Sequence, residues 1–163
     1  MKHIGPVINA MITYYAGDVR RINHFLKVYG FAKAIGEMEG LDEISQEILE
    51  IAALTHDIGI RNSEKKYNSS SGNYQQIEGP PEAKKLLEGL GIELSVIDRV
   101  CWLIAHHHTY TDINDSDYQI LVEADFLVNA FEDNLPSKAI LSFKDKVFKT
   151  DSGTNMLNNM YLS

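Results

Sequence analysis

Residues 49–59 read LEIAALTHDIG. An apolar run on a helical repeat ends in an adjacent histidine and aspartate, and a glycine follows two residues later. The apolar part decides the local fold. Ile44, Ile48, Ile51, Ala52 and Thr55 run along one side of a helix expected over 42–58, and Leu49, Ala53 and His56 fall on an adjacent stripe. Asp42 is a candidate N-cap, with Ser45 as a second start. Gly59 is a candidate terminator, since glycine accepts the left-handed conformation at little cost. The ionisable pair His56–Asp57 then has two readings. One is a polar helix end; the other is a pair of metal ligands where a helix stops.

Outward from this segment the same period recurs. Residues 1–18 suggest a short leading helix that ends near Gly17 and Asp18. From Arg20 to Ile35, His24, Val28, Phe31 and Ile35 share a face, with Gly36 and Gly40 interrupting. Downstream, IRNSEKKYNSSSGNYQQ (60–76) is polar and without strong periodicity, so it is expected to be the one long loop. Gly79 and Pro80–Pro81 mark the expected start of a helix that runs to Leu87 or Leu90. Gly91 separates it from a helix over 93–107, where Val96, Val100, Leu103 and His107 form a stripe. A helix over 117–131 aligns Leu121, Asp125 and Val128. Beyond Pro136, Ile140, Phe143 and Val147 suggest one more helix, and a looser tail begins at Gly153. No segment reads as a sheet. The expectation is an all-α bundle in a single domain, with a core over about 20–132 and a C-terminal helical extension over 137–163.

Bulk composition narrows the function. The chain has 163 residues, of which 44% are hydrophobic, enough to bury a core. It carries 15 Lys and Arg against 23 Asp and Glu, a formal charge of -8. That balance argues against a nucleic acid polymer or an anionic membrane as partner, while leaving room for a local basic pocket. The only cysteine is Cys101, so no disulfide can form within the chain. No signal-peptide pattern appears, nor a run near the roughly 20 apolar residues of a membrane helix. A reduced, cytoplasmic setting is expected. There is no Gly-rich phosphate loop or dinucleotide fingerprint.

Four apolar stripes carry ionisable groups: His24, the His56–Asp57 pair, the run His106–His107–His108, and Asp125 within LVEADFLVNA (121–130). Singly, each has an ordinary explanation. One histidine on a helical face is usually a packing residue, and three at a helix end suit the macrodipole. A carboxylate in an apolar stripe is costly unless paired or bound to a cation. Together they suggest one polar centre inside the bundle. Imidazole and carboxylate ligands suit a divalent Fe, Mn, Zn, Co or Ni ion, and the lack of clustered cysteines argues against a thiolate zinc site.

The ordered set resembles the HD superfamily of metal-dependent phosphohydrolases. RRINHFLKVYGFAKAI (20–35) looks like its first helix, LEIAALTHDIG like the His-Asp motif that gives it its name, and YQILVEADFLVNA (118–130) like its distal helix. The resemblance spans about residues 20–132. It implies His24, His56, Asp57 and Asp125 as ligands of one divalent transition metal, or of one of two. It also implies a substrate-side or second-metal role for the histidine run. His107 is the first choice there, because it continues the stripe of Val96, Val100 and Leu103; Glu78 is a further candidate ligand. Two departures stand out. Ile60 and Arg61 follow the HDIG string where many relatives carry lysine. Residues 58–105 contain no histidine, which lowers the expectation of a full two-metal centre. The longer signature of cyclic-dinucleotide phosphodiesterases in the superfamily is also missing.

The implied function is hydrolysis of a phosphomonoester, a nucleotide being one option, by a metal-activated water. Asp57 and His107 are the candidate catalytic groups. Arg61, Lys65, Lys66, Arg20 with its neighbour Arg21, His106 and His108 are candidate contacts for a small phosphorylated substrate. Thr109, Tyr110, Asn73 and Tyr74 are candidates for the mouth, and Trp102 and Cys101 for packing. The alternative is a non-catalytic, metal-stabilised helical module that binds a ligand or a protein. A homodimer is left open.

Overall fold

The computed structural model describes residues 2–163. Among these are nine helices and no strand: α1 (Ile4–Tyr14), α2 (Val19–Met38), α3 (Glu43–Thr55), α4 (Ile60–Tyr67), α5 (Gly72–Gly89), α6 (Leu94–His106), α7 (Ser116–Glu132), α8 (Ser137–Val147) and α9 (Asp151–Tyr161). The protein is therefore all-α. The central packing joins α2, α3 and α7, with α6 against α3 and α5 against α6. Val28 and Ile35 from α2, Leu49 and Ala53 from α3, Leu103 from α6 and Leu121 and Leu127 from α7 are all buried. Each fully buried aliphatic side chain contributes about 1.5–3 kcal/mol, so these faces fix the angles at which the helix ends meet. No described helix is long and apolar enough to cross a membrane.

The caps follow the sequence. Asp42 accepts a hydrogen bond from the Ser45 amide at 2.8 Å, and Asp18 from the Arg21 amide at 3.2 Å. Gly40 (φ 76°) supplies the left-handed turn between α2 and α3.

Five local expectations are corrected. Gly36 does not interrupt α2: it lies inside the helix, where the Gln46 side chain fills the space a Cβ would need. The expected loop over 60–76 is α4, a short connection over 68–71 and the first turn of α5. Periodicity could not show this because α4 buries only Ile60 and Ser63. Gly59 does not end α3 in a left-handed turn. The helix stops at Thr55, and Gly59 has φ −75° as the N-cap of α4. Its lack of a side chain serves close packing instead, since a Cβ there would lie 2.7 Å from the Gln75 carbonyl oxygen and from the Gly79 nitrogen. Likewise, Gly79 and Pro80–Pro81 do not begin a helix; α5 starts at Gly72 and runs through both prolines. A proline inside a helix removes an amide donor and costs about 3 kcal/mol, and here the α5–α6 packing and the Gly59–Gly79 approach hold the segment helical. Finally, Gly153 opens no loose tail. It is buried in the first turn of α9, where its amide donates to Thr150 Oγ1 at 2.9 Å.

Candidate metal centre

Two helix ends and two positions inside helices converge. His24 comes from α2, Asp125 from the middle of α7, His56 and Asp57 from the turn that closes α3, and His107 and His108 from the turn that closes α6. Within a helix, neighbouring residues diverge in direction; past the last turn, both can face one point. That is why the His56–Asp57 pair sits where α3 stops.

The separations are short. His24 Nε2 lies 3.3 Å from His56 Nε2, 3.1 Å from Asp57 Oδ2 and 3.2 Å from Asp125 Oδ1. His56 Nε2 lies 3.3 Å from Asp57 Oδ2 and 3.2 Å from Asp125 Oδ1. His107 Nε2 stands 3.7 Å from Asp57 Oδ1. Metal–ligand bonds of about 2.0–2.2 Å give ligand–ligand edges of about 2.8–3.6 Å in octahedral to tetrahedral shells; the edges among His24, His56, Asp57 and Asp125 fall in that interval, and the His107–Asp57 distance lies just beyond it.

Outer partners fix the imidazole tautomers. His24 Nδ1 donates to Glu132 Oε1, His56 Nδ1 to the Ala53 carbonyl and His107 Nδ1 to the Ile104 carbonyl, each at 2.7 Å. In their neutral forms all three rings turn an Nε2 lone pair inward. The inward atoms are then acceptors without a donor among them, and His107 Nε2 and Asp125 Oδ1 are buried with no hydrogen-bond partner. Such a set needs positive charge at its centre. A divalent ion fits this donor set of imidazole nitrogens and carboxylate oxygens. His24, His56 and Asp57 form one group able to hold an ion; Asp57, His107 and His108 form another.

Protons compete for the same place. Burial opposes charge on His24, but Asp125 and Asp57 outweigh it and raise its pKa from 6.5 to about 10. His56 is likewise pulled well above its ordinary value, against its burial, by Asp57 and Asp125. Burial acts to raise Asp57 and Asp125, yet His56 and the other imidazoles hold both well below the usual carboxylate range. His108 moves the opposite way, to about 4, through burial and the neighbouring His107. Its Nε2 donates to Gln75 Oε1 at 3.0 Å, and Gln75 in turn donates to the Ser70 carbonyl at 2.5 Å.

The cluster forms the floor of a cleft of about 550 Å³, lined in part by Arg20, Arg21, Ser70, Gln75, Asn129 and Asp133. Of the residues expected from the sequence, His24, Asp57, Asp125, His108, Arg20 and Arg21 line it, and His56 and His107 sit buried against its floor. Others are engaged elsewhere. Arg61 donates to the Tyr14 carbonyl at 2.8 Å and stacks on the Tyr14 ring, in a neighbouring pocket. Lys66 pairs with Glu78 at 2.7 Å, and Tyr67 also donates to Glu78, which belongs to neither ligand group. Lys65 is exposed on α4 and does not line the cleft. His106 turns away, with Nδ1 on the Trp102 carbonyl and its ring stacked on Trp102. Thr109 donates to Gln76, Tyr74 stacks on Tyr67 and Asn73 is exposed. Tyr110 packs edge-on against Phe143, and burial helps push its pKa up to about 12. Cys101 donates to the Pro80 carbonyl. Sequence reasoning missed Glu132 and Gln75. Glu132 lies seven residues after Asp125 on the same helical face, which was a usable signal; a glutamine in a polar stretch gave none.

Fold and site together define an all-α domain with a histidine–aspartate centre suited to a divalent metal, open to a polar cleft. The HD domain family matches residues 21–142, and the chain belongs to that family, whose members are generally metal-dependent hydrolases. A comparison with solved structures finds the crystal structure of a predicted HD superfamily hydrolase from an uncultured Thermotogales bacterium. It is 24% identical with a TM-score of 0.68, over 98% of this chain and 86% of that one. That likeness extends the shared fold through α8 and α9. No curated protein matches.

Proposed function

We propose that this chain is a metal-dependent phosphohydrolase that cleaves a small phosphomonoester by attack of water. The reading is carried by one observation: inward-facing imidazole nitrogens and carboxylate oxygens, which lack a donor when the imidazoles are neutral, lie at the floor of a cleft whose rim bears Arg20. His24, His56, Asp57 and Asp125 would hold the ion. When bound, the ion supplies Lewis acidity, which places positive charge against phosphoryl oxygens and makes a nearby water more acidic.

The chain's own residues do the rest. Asp57 Oδ1 and His107 Nε2 are the acceptors available for the proton of the attacking water. Glu132 and the Ala53 and Ile104 carbonyls keep the three imidazoles in one tautomer. Arg20 makes no ion pair among the described residues, which leaves it free for a phosphoryl oxygen; Arg21 is already paired with Asp18 and Glu64. As the water oxygen bonds to phosphorus the ester P–O bond breaks, giving an alcohol and inorganic phosphate.

The test is hydrolysis of a simple aryl phosphate by protein loaded in turn with Mn, Fe, Co, Ni or Zn. Turnover that disappears on chelation and returns with metal is expected. No turnover of this or any other phosphomonoester with any of these metals would contradict the reading.

A further inference from the structure

The cleft above the metal centre carries a second set of polar groups that the fold leaves unused. Asn129 and Asp133 follow Asp125 at intervals of four on α7, so the three share one face, and all line the cleft. Arg20 on α2 and Ser70 on the α4–α5 connection line it too. None of the side chains of Arg20, Ser70, Asn129 and Asp133 has a hydrogen-bond or ion-pair partner among the described residues. Asn129 is half-buried, and a half-buried amide with no partner forgoes hydrogen bonds that water only partly restores.

The apolar side of the inventory is thin. Ile60 is the one aliphatic side chain lining this cleft, and the only rings lining it are the imidazoles of His24 and His108, which are engaged with the Asp57–Asp125 cluster and with Gln75. Rings on the elements around the cleft pack on one another: Tyr67 stacks on Tyr74, Phe126 on Phe143, and Tyr110 packs edge-on against Phe143. Ligand pockets are more often walled by apolar and aromatic side chains, and a nucleobase gains about 1–3 kcal/mol from stacking on such a ring. This cleft offers a base no phenyl, phenol or indole face. It offers hydroxyl groups an amide, a carboxylate and a hydroxyl, with a guanidinium for the phosphate.

We infer that the cleft selects the phosphate ester of a small polyhydroxylated alcohol over a nucleotide. Arg20 receives the phosphate, and Asn129 and Asp133 receive the hydroxyls of the alcohol. The inference rests on the phosphohydrolase reading for the orientation of the phosphate toward the metal centre. It makes Asn129 and Asp133 specificity-determining residues.

The test separates recognition from chemistry. Ribose 5-phosphate and adenosine 5′-monophosphate share ribose and phosphate and differ by the base. Their non-hydrolysable phosphonate analogues are titrated by calorimetry into the metal-loaded, full-length protein. The ribose phosphonate is expected to bind about tenfold or more tightly than the adenosine phosphonate, and Asn129→Ala and Asp133→Ala are each expected to weaken it by about five- to tenfold. Conservative Asn129→Asp and Asp133→Asn variants guard against misfolding and should keep most of the preference for ribose. Equal or tighter binding of the adenosine phosphonate, or no binding of either at millimolar concentration, overturns the inference. Turnover of the two parent esters is read separately. Hydrolysis with a nucleotide preference sinks only the substrate class. No hydrolysis of either ester, combined with selective binding of the ribose phosphonate, sinks the hydrolase reading and leaves the recognition intact.

Discussion

Glu123 and Asp125 sit two residues apart on α7, both buried, and their surroundings differ completely. Glu123 is saturated with donors: Gln119 Nε2 at 2.6 Å, the Lys149 and Thr150 amides at 2.9 and 3.0 Å, and the Thr150 hydroxyl at 2.5 Å. It ties the α8–α9 connection to α7 and closes its hydrogen-bond account within the chain. Asp125 Oδ1 faces only the Nε2 atoms of His24 and His56, each at 3.2 Å, which in the neutral imidazoles are acceptors; without a bound proton or cation it has no donor. A saturated buried carboxylate is a structural fastening. One set among lone pairs is incomplete without an outside cation. The side chain alone does not distinguish the two; the supply of donors around it does.

Substitutions on the two sides should therefore fail in different ways. The largest effect is expected at the unsaturated cluster. Groups that merely support metal ligands are worth about 10–100-fold, so Asp57→Asn should lower turnover of metal-loaded protein by more than about a hundredfold while the helical circular dichroism stays intact. Unchanged turnover would remove Asp57 from the chemistry. Next comes Glu123→Ala, which strands the Lys149 and Thr150 amides and should cost about 3 kcal/mol in urea unfolding. Folded Glu123→Ala protein should still take up metal normally, and a loss of metal would erase the contrast drawn here. Smaller again is Glu132→Gln, which weakens the hold on His24 Nδ1 and should reduce metal affinity about tenfold. Equal affinity would show that the His24 tautomer is set by something else.

The contrast also has a pH signature. In metal-free protein the folded state favours the His24 imidazolium, with its pKa raised from 6.5 to about 10. That contribution to stability is fully present below the unfolded value and is lost as pH rises through about 10. Chelated protein should thus melt at lower temperature as pH climbs over this window. Metal affinity should rise over the same window, because uptake displaces the proton. A chelated protein whose melting temperature rises from pH 7 to 9 would contradict this.

The sequence carried the parts of this picture that depend on long periodic stripes. His24, the His56–Asp57 pair and Asp125 were readable because each interrupts an apolar helical face, and His107 because it prolongs one. Close backbone crossings were not readable. Gly59 and Gly79 looked like punctuation, whereas they are the contact between the His-Asp turn and α5. Thinly buried helices were equally hidden: α4 places too few residues in the core to leave a pattern. Arg61 and Lys66 were attractive for nearness in sequence to the motif and Glu78 as a carboxylate where a histidine is missing, yet Arg61 reaches Tyr14 and Lys66 pairs with Glu78. Glu132 escaped because a charged residue in the last turn of a helix reads as solvated surface, although its carboxylate reaches inward to His24.

The central claim is that the ring of acceptors exists to hold a cation, and metal content tests it most directly. Untagged protein purified without chelator, together with the His56→Ala, Asp125→Ala and Glu123→Ala variants, would be measured by elemental analysis after folding is checked. The account predicts about one tightly held transition metal per chain in the wild type and in Glu123→Ala, and none in the other two variants. No metal in the wild type, and none taken up from Mn, Fe, Co, Ni or Zn, would contradict it.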